Sequence, residues 1–380
     1  MSATNPNLLE PNYATHPGEL LAEWLEENQQ TQADLAQRSG HAKKTINQLV
    51  KGIAPLNAAM ALDLEKVTGV AASLWSNMEA RYRQFKARQE ERAHFAAACA
   101  DDVARFSYKK MSDFGWLPAT TDKTDRAGNL LHFFGVANFH QWSEVYGALE
   151  GAARESSSFK SELPDLSAWL RQGEIAAAKI ACAPFDEAVF RQNLTAIRAL
   201  TAEPFSATTC PRVRELCAAA GIALVLVPEL PGTHVSGFTR WLSPTKALIQ
   251  QSLRHKRDDH LWFTFFHEAA HLLLHGKKEK FLEFQGRTDP KETEADVWAA
   301  DFLIPPSEWR NFTQTVRKPY TDQALIKVAR QLGVSPGVVA GRAQRETSTF
   351  DRYHSLFTRI ELKLSSQLPP ILCKRPRDYR

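Results

Sequence analysis

The stretch LWFTFFHEAAHLLLH, residues 261–275, decides the fold of the second half of the chain. Apolar residues continue nearly all round its helical wheel, which predicts a buried central helix. Within it, His267 and His271 are four positions apart and therefore lie one turn apart on the same helix face. Two such imidazoles can bind one Zn²⁺ ion, and the adjacent Glu268 is positioned to take a proton from a water molecule at the metal.

A zinc peptidase also needs a third protein ligand and an open position for water. A second predicted helix, at residues 291–304, offers four carboxylates: Glu292, Glu294, Asp296 and Asp301. The interval after His271 leaves room for a short strand at residues 281–284 and a return helix. The alternative to a metal site is a structural core helix, in which the two histidines form hydrogen bonds to neighbouring residues and bind no metal.

The segment before this helix predicts a small sheet. Residues 222–227 are a buried, β-branched run, and residues 235–242 and 247–253 are typical of two further strands. In zinc peptidases of this general build, the substrate backbone pairs with an edge strand beside the metal. By position, residues 246–252 are the expected edge strand.

The region from residue 221 to residue 306 resembles the ImmA/IrrE family of zinc-dependent metallo-endopeptidases. The matching motifs are HEAAHLLLH at 267–275 and ETEADVWAADFLIP at 292–305. The resemblance implies a zincin-like peptidase domain with three metal ligands and one general base: His267, His271 and Glu294 for the metal, and Glu268 for the base. Family members often carry Asn where Asp296 stands, and His275, rotated away from the metal face, is interpreted as a supporting or structural residue.

Composition places the chain among ordinary globular proteins. It has 380 residues, of which 43% are hydrophobic and 24% charged, so we expect two or three domains and a sizeable core. No apolar run approaches the length of a membrane helix, and residues 1–12 lack the features of a signal peptide. Five scattered cysteines without a C-x-x-C pair favour a reduced, cytoplasmic protein that makes no membrane contact.

Residues 16–80 predict a compact helical module. Thr31 and Asp34 form a capping box that opens one helix, Ser39 and Gly40 make a tight turn, and residues 42–50 form the next helix. This arrangement predicts a helix-turn-helix. The expected DNA contacts are five polar side chains on the second helix and one at its end: Lys43, Lys44, Thr45, Asn47 and Gln48, with Lys51. The alternative is a helical dimerisation or protein-binding module with a merely solvated polar face.

The same module resembles HigA-like antitoxins of the XRE helix-turn-helix family, through HPGELLAEWL (16–25), TQADLAQRSG (31–40) and the stretch at 59–82. Because helix-turn-helix proteins usually read paired half-sites as dimers, we expect a homodimer on a palindromic operator. The family usually opens its recognition helix with Ser, whereas this chain has Ala42. That change removes an N-cap hydroxyl and one phosphate contact.

We therefore predict an α+β protein, mostly helical, in five parts: a flexible tail (1–15), a helix-turn-helix domain (16–80), a helical linker and middle bundle (81–203), a metallopeptidase core (204–312), and C-terminal helices with a basic tail (313–380). The middle bundle shows no catalytic constellation and is interpreted as a scaffold, the alternative being a ligand-sensing or dimerising role. The predicted function is a DNA-binding regulator whose zinc endopeptidase cleaves a specific regulatory protein. The rival is a non-enzymatic antitoxin or repressor whose peptidase-like domain senses a ligand or a toxin partner.

Overall fold

The computed structural model describes residues 13–154, 163–276, 281–282, 290–362 and 371–374. Most of the predicted flexible tail and the end of the predicted basic tail, residues 1–12 and 375–380, lie outside this set. The chain divides into two compact units, the first ending at Ala100 and the second beginning at Asp101. Helices dominate both units, and the described strands all lie in the second. The predicted α+β, mostly helical class is confirmed.

The first unit is built from short helices followed by one long helix. Their bounds are α1 (Pro17–Glu27), α2 (Gln32–Ser39), α3 (Lys43–Val50), α4 (Ala58–Thr68) and α5 (Ala72–Ala98). The predicted capping box opens α2, because Thr31 accepts from the Asp34 N–H and Asp34 accepts from the Thr31 N–H. Gly40, with a φ of 73°, ends α2 in the left-handed region that glycine adopts without strain. The core of the unit is made by fully buried side chains: Leu21, Ile46, Leu49, Leu64 and Trp75.

The second unit places a small sheet between two groups of helices. The helices before the sheet are α6 (Ala100–Ala104), α7 (Tyr108–Asp113), α8 (Lys123–Phe134), α9 (Phe139–Arg154), α10 (Leu163–Ala178), α11 (Glu187–Leu200) and α12 (Thr209–Ala219). The strands are β1 (Ile222–Leu226), β2 (Gly237–Ser243), β3 (Lys246–Gln251) and β4 (Phe281–Leu282). The remaining elements are α13 (Asp258–Leu274), α14 (Pro290–Leu303), α15 (Pro306–Thr315), α16 (Asp322–Leu332), α17 (Pro336–Thr347), β5 (Arg359–Leu362) and β6 (Ile371–Lys374).

The sheet has the strand order β1-β3-β2-β4, with β1 parallel to β3 and the other pairs antiparallel. The expectation that residues 246–252 form the edge strand is therefore wrong. β1 and β2 form hydrogen bonds to the two sides of β3. The backbone groups of β3 are therefore already paired within the sheet and cannot pair with a substrate strand. On the β2 side, β4 borders the described part of the sheet. β4 also confirms the short strand expected at residues 281–284, of which 283 and 284 lie outside the described residues.

The two faces of the sheet pack on different helices. Because side chains alternate along a strand, Ile222 and Leu224 of β1 face the core that contains α13, whereas Ala223 and Val225 face α10. Trp169 of α10 fixes the second contact, since its indole N–H donates to the carbonyl of Val227 at 3.1 Å. The sheet is thus the middle layer of a helix–sheet–helix arrangement.

The main core crosses two of the boundaries predicted from the sequence. It joins Phe190 and Leu194 of α11 to the sheet and to α13, and it also includes Leu325 of α16 and Val339 of α17. Divisions at 203/204 and 312/313 therefore do not separate independent cores, because amphipathic helices on both sides cover one sheet and one buried helix. Of the helices described, none combines the length and apolar character needed to cross a lipid bilayer.

Candidate metal centre

The buried helix α13 carries the first half of the centre. His267 and His271 lie one turn apart on it, and each is about 1% exposed. Their facing Nε2 atoms are 3.0 Å apart. The four-residue spacing thus produces the predicted convergence of two imidazoles.

The third member of the centre is Glu292, near the start of α14. Its Oε2 lies 3.1 Å from His267 Nε2 and its Oε1 lies 3.6 Å from His271 Nε2. Glu294, the ligand expected from the sequence, lies elsewhere: its side chain is 59% exposed and contacts His275 Nε2 at 3.2 Å. The physical reason is helix geometry, because residues two apart on a helix point to nearly opposite faces.

The three donor groups fit one metal ion. His267, His271 and Glu292 each offer one ligand atom, and these atoms lie within 4.8 Å of one another. Bonds of roughly 2.0–2.1 Å in a tetrahedral site would put ligand atoms about 3.4 Å apart, which is close to the separations of 3.0, 3.1 and 3.6 Å described above. Two nitrogens and one carboxylate suit Zn²⁺.

Protonation also favours cation binding. Burial lowers the pKa of His271, only partly opposed by Glu292, so its ring is neutral near pH 7. Burial alone would raise the pKa of Glu292, but the neighbouring imidazoles of His267 and His271 lower it to about 2. A neutral imidazole beside an ionised carboxylate is the state in which both bind metals.

Hydrogen bonds at the opposite ring nitrogens orient both imidazoles. His267 Nδ1 lies 3.0 Å from Asp296 Oδ1, and His271 Nδ1 lies 2.9 Å from His275 Nδ1. His275 in turn contacts Glu294 through Nε2. If each Nδ1–H of the pair donates outward, both Nε2 lone pairs face the metal position. The sequence left open whether Asp296 adds charge behind the ligands or has no role, and the structure places it against His267. Its four-residue spacing from Glu292 puts both carboxylates on one face of α14.

Glu268, the predicted general base, lies next to the donor set and is fully buried. Gly237 of β2 makes room for its carboxylate. A Cβ added at Gly237 would overlap Glu268 Oε1 and would lie 2.7 Å from Thr264 Cγ2. Thr239, also on β2, donates to the Glu268 carbonyl at 3.3 Å. β2 therefore fixes the place of the Glu268 side chain, a contact that no sequence motif indicated.

The predicted DNA contacts lie together on α3 in the first unit. Ile46 and Leu49 anchor this helix in the core. The six predicted side chains are all exposed or partly exposed: Lys43, Lys44, Thr45, Asn47, Gln48 and Lys51. Asn47 Nδ2 donates to Oε1 of Gln32, the first residue of α2, at 3.0 Å. As expected from Ala42, no side chain caps the start of α3.

The comparison with protein families concerns the part of the chain that holds the His267, His271 and Glu292 group. Residues 243–344 match the model of the IrrE N-terminal-like domain (Peptidase_M78). This IrrE N-terminal-like domain runs from the last residue of β2 into α17, so it contains α13, α14 and all three donor groups. The family resemblance predicted from the two motifs is confirmed over this region. A comparison with curated proteins gives no match.

Solved structures similar to the N-terminal region include antitoxins. The Pseudomonas aeruginosa antitoxin HigA with the higBA promoter is 29% identical over 21% of this chain and 87% of its own, with a TM-score of 0.20. An antidote protein of a plasmid maintenance system from Nostoc punctiforme is 25% identical over 22% of this chain and 91% of its own, with a TM-score of 0.22. This is the resemblance that the sequence predicted for residues 16–80.

Proposed function

We propose that the IrrE N-terminal-like domain is a zinc-dependent endopeptidase and that the chain is a DNA-binding regulator which cleaves one specific regulatory protein. One observation carries the proposal. Two buried imidazoles and a buried carboxylate converge on one point, and Glu268, the residue after His267 on the same helix, is a second buried acid. Three protein ligands with a neighbouring acid are the constellation of a hydrolytic metal site rather than a closed structural one.

His267, His271 and Glu292 would hold the metal, which when bound supplies a Lewis acid and lowers the pKa of water. Glu268 takes the proton of the attacking water and passes it to the leaving amine. Asp296 holds the ring of His267 with Nε2 inward, by the hydrogen bond described above. Gly237 keeps the Glu268 carboxylate in place by leaving room for it.

The test compares three forms of the full chain: wild type, Glu268→Gln and the control Glu215→Gln, which changes an exposed acid on α12. Each is incubated with cell extract and DNA, and new protein termini are mapped by mass spectrometry. We expect wild type and the control to produce the same few termini. Glu268→Gln should retain the metal and produce none, because the substitution keeps the shape of the side chain and removes the base. Termini produced equally by Glu268→Gln exclude a general-base role for this residue.

Activity should be confined to one partner or to the chain itself. An unrestrained zinc peptidase would damage the proteins of its own cell, so we expect little digestion of an unfolded protein such as casein. Broad casein digestion would contradict the specific role. A chain that binds metal but produces no new termini in any extract favours the rival function, a non-enzymatic antitoxin or repressor whose domain senses a ligand or a toxin.

We further propose that α3 reads DNA. Its lysines and amides form one polar face opposite the anchors Ile46 and Leu49, which is the arrangement of a recognition helix. Helix-turn-helix proteins usually bind paired half-sites, so two copies of the chain on a palindromic operator are the expected complex. Absence of salt-dependent DNA binding by the full chain at low ionic strength would favour a protein-binding module instead.

A further inference from the structure

A large cavity lies behind the metal centre, between α13, α14 and α17. Its volume of about 840 Å³ is within the range of small-molecule sites. Among the residues that the structure describes, none of the three metal donors lines it, and neither does Glu268. The cavity meets the centre at Asp296, which contacts His267 at Nδ1, the ring nitrogen that faces away from the metal position. It is therefore a separate space from the one in which a molecule at the metal would lie.

Much of the wall of this cavity is apolar. Phe263 of α13, Val297 of α14 and Phe350, which follows α17, all line it. Val297 and Phe350 are more than half exposed, and large apolar side chains exposed around a concave site are typical of binding surfaces. The wall thus favours a ligand with an apolar body.

Two arginines of α17 bring unused hydrogen-bond donors to the cavity. Arg342 and Arg345 are three positions apart, on one side of the helix, and both line the cavity. Arg342 Nη1 lies 3.6 Å from Asp301 Oδ1. Arg345 Nη2 lies 3.7 Å from Asp296 Oδ2. Within the described part of the chain, neither guanidinium donates a hydrogen bond. Arg342 is about three-quarters buried, and a ligand that accepts from it relieves the cost of a buried donor without an acceptor.

The charges around these arginines favour a ligand with one negative charge. A carboxylate accepts two parallel hydrogen bonds from a guanidinium, whose planar donors match its two oxygens. Asp296 and Asp301 already lie beside the two guanidiniums, so a dianion such as a phosphate monoester meets stronger repulsion than a carboxylate does. An apolar body with a single carboxylate is therefore the chemistry that fits this cavity.

The contact between Arg345 and Asp296 links the cavity to the metal centre. Oδ2 of Asp296 faces Arg345, while Oδ1 contacts the ring of His267. A bound carboxylate competes for the donors of Arg345, which leaves Asp296 less neutralised and a stronger acceptor for the Nδ1–H of His267. A stronger acceptor behind a histidine makes the opposite nitrogen a better metal ligand.

We propose that this cavity is an effector site for a small apolar monocarboxylate and that its occupation strengthens metal binding. Arg342 and Arg345 hold the carboxylate, while the apolar wall holds the body of the ligand. Binding in the cavity goes beyond the proposed function. The coupling rests on the proposed function, because it needs a metal at the centre. Since linkage is reciprocal, the metal also strengthens binding of the carboxylate.

The first experiment measures probe binding to the full chain by equilibrium dialysis, with a chelator present so that no probe binds through a metal. The probes are 1-naphthaleneacetate, its uncharged amide, acetate, which lacks the apolar body, and 1-naphthyl phosphate, a dianion. We expect 1-naphthaleneacetate to bind at least about tenfold tighter than the amide, because the amide loses charge-assisted hydrogen bonds. Acetate should bind more weakly still, and 1-naphthyl phosphate should not exceed 1-naphthaleneacetate.

Variants of the two arginines test the placement of the carboxylate. Arg342→Leu and Arg345→Leu should each weaken 1-naphthaleneacetate about tenfold and leave the amide unchanged. Val297→Asp should weaken both probes, because it puts a charge on the apolar wall, and its exposed position should let the fold tolerate the change. The matched control is Arg330→Leu, an exposed arginine of α16 that does not line the cavity.

The second experiment measures the affinity for Zn²⁺ by chelator competition, with and without saturating 1-naphthaleneacetate. We expect the probe to strengthen zinc binding at least about fivefold, the usual lower range of coupling between two sites. Arg345→Leu should abolish this effect, because Asp296 then has no guanidinium to lose. A probe that bound the metal directly would keep its effect on zinc in this variant.

The outcomes separate this inference from the proposed function. A chain that binds no zinc refutes the proposed metal centre, while the chelator-treated chain still tests the cavity. Equal binding of 1-naphthaleneacetate and its amide overturns the effector site, and so does tighter binding of 1-naphthyl phosphate. An effect of Arg330→Leu as large as that of Arg345→Leu also overturns it. Probe binding as expected, with the zinc affinity unchanged, overturns the coupling.

Discussion

Asp258, the first residue of α13, gives a prediction about stability and pH. It is 3% exposed, and burial, with the charge of Asp259 next, raises the pKa of its carboxyl to about 7. Its oxygens accept hydrogen bonds from the Thr358 N–H at 2.8 Å and the Ser335 hydroxyl at 3.2 Å. These contacts join the start of α13 to α17 and the segment before β5.

The direction of the effect follows from proton linkage. The unfolded chain ionises this carboxyl near its ordinary pKa of 3.8, whereas the folded chain does so only near pH 7. Between these values unfolding releases a proton, so the free energy of unfolding falls as pH rises and levels off above about pH 7. At about 1.4 kcal/mol per pKa unit, the loss is at most about 4 kcal/mol. Asp258→Asn removes this pH-dependent loss, because the amide oxygen can accept from the Thr358 N–H and the amide NH₂ can donate to the Ser335 hydroxyl oxygen without a charge.

The assay is denaturant unfolding of the full chain from pH 5 to pH 8, with a chelator present so that metal binding adds no pH dependence. We expect Asp258→Asn to be more stable than wild type at pH 8, with a difference that shrinks towards pH 5. The control Asp351→Asn changes an exposed acid and should follow wild type throughout. An Asp258→Asn variant less stable than wild type at pH 8 would refute the reasoning, since the ionised carboxylate would then be favourable.

Three further predictions concern the metal centre and DNA. Glu292→Gln should lose most of the bound metal. Glu294→Gln changes only the partner of His275 and should lower the metal affinity by about tenfold or less, measured by competition with a chelator. Gly237→Ala should keep the metal but lose nearly all proteolysis, because the added methyl displaces the general base; metal analysis beside a cleavage assay separates the two effects. Replacing Lys43 and Lys51 by Ala should weaken binding to all DNA sequences and reduce the slope of log affinity against log salt by about two, measured by titration at several salt concentrations.

The sequence predicted those parts of the centre that depend on one helix. His267, His271 and Glu268 lie within two turns of α13, so their relative positions follow from helix geometry alone. The third candidate ligand depends on how α14 packs against α13. The structure brings Glu292 to the two histidines rather than the expected Glu294, because Glu292 lies on the buried face of α14. Glu292 lies on the face of Ala299, which is fully buried. The seven-residue spacing between Glu292 and Ala299 was therefore a signal in the sequence that Glu292 lies on the buried face of α14.

The sheet and the domain division depended on longer-range contacts. Residues 246–252 were recognised as a strand, but strand order depends on pairing partners that local pattern does not reveal. Similarly, α10 has the composition of a bundle helix, and only its packing on β1 and β3 joins it to the peptidase domain. Local periodicity thus predicted where the helices and strands lie in the sequence, whereas which elements pack against one another could be seen only in the structure.

The most direct test of the central claim is anomalous X-ray scattering at the zinc edge from a crystal of the zinc-loaded full chain. We predict one strong peak roughly 2.0–2.2 Å from Nε2 of His267, Nε2 of His271 and a carboxylate oxygen of Glu292. Glu268 should lie beside the peak without contacting it as a ligand. Absence of a peak between the two histidines, or a peak coordinated by Glu294 in place of Glu292, would contradict the account.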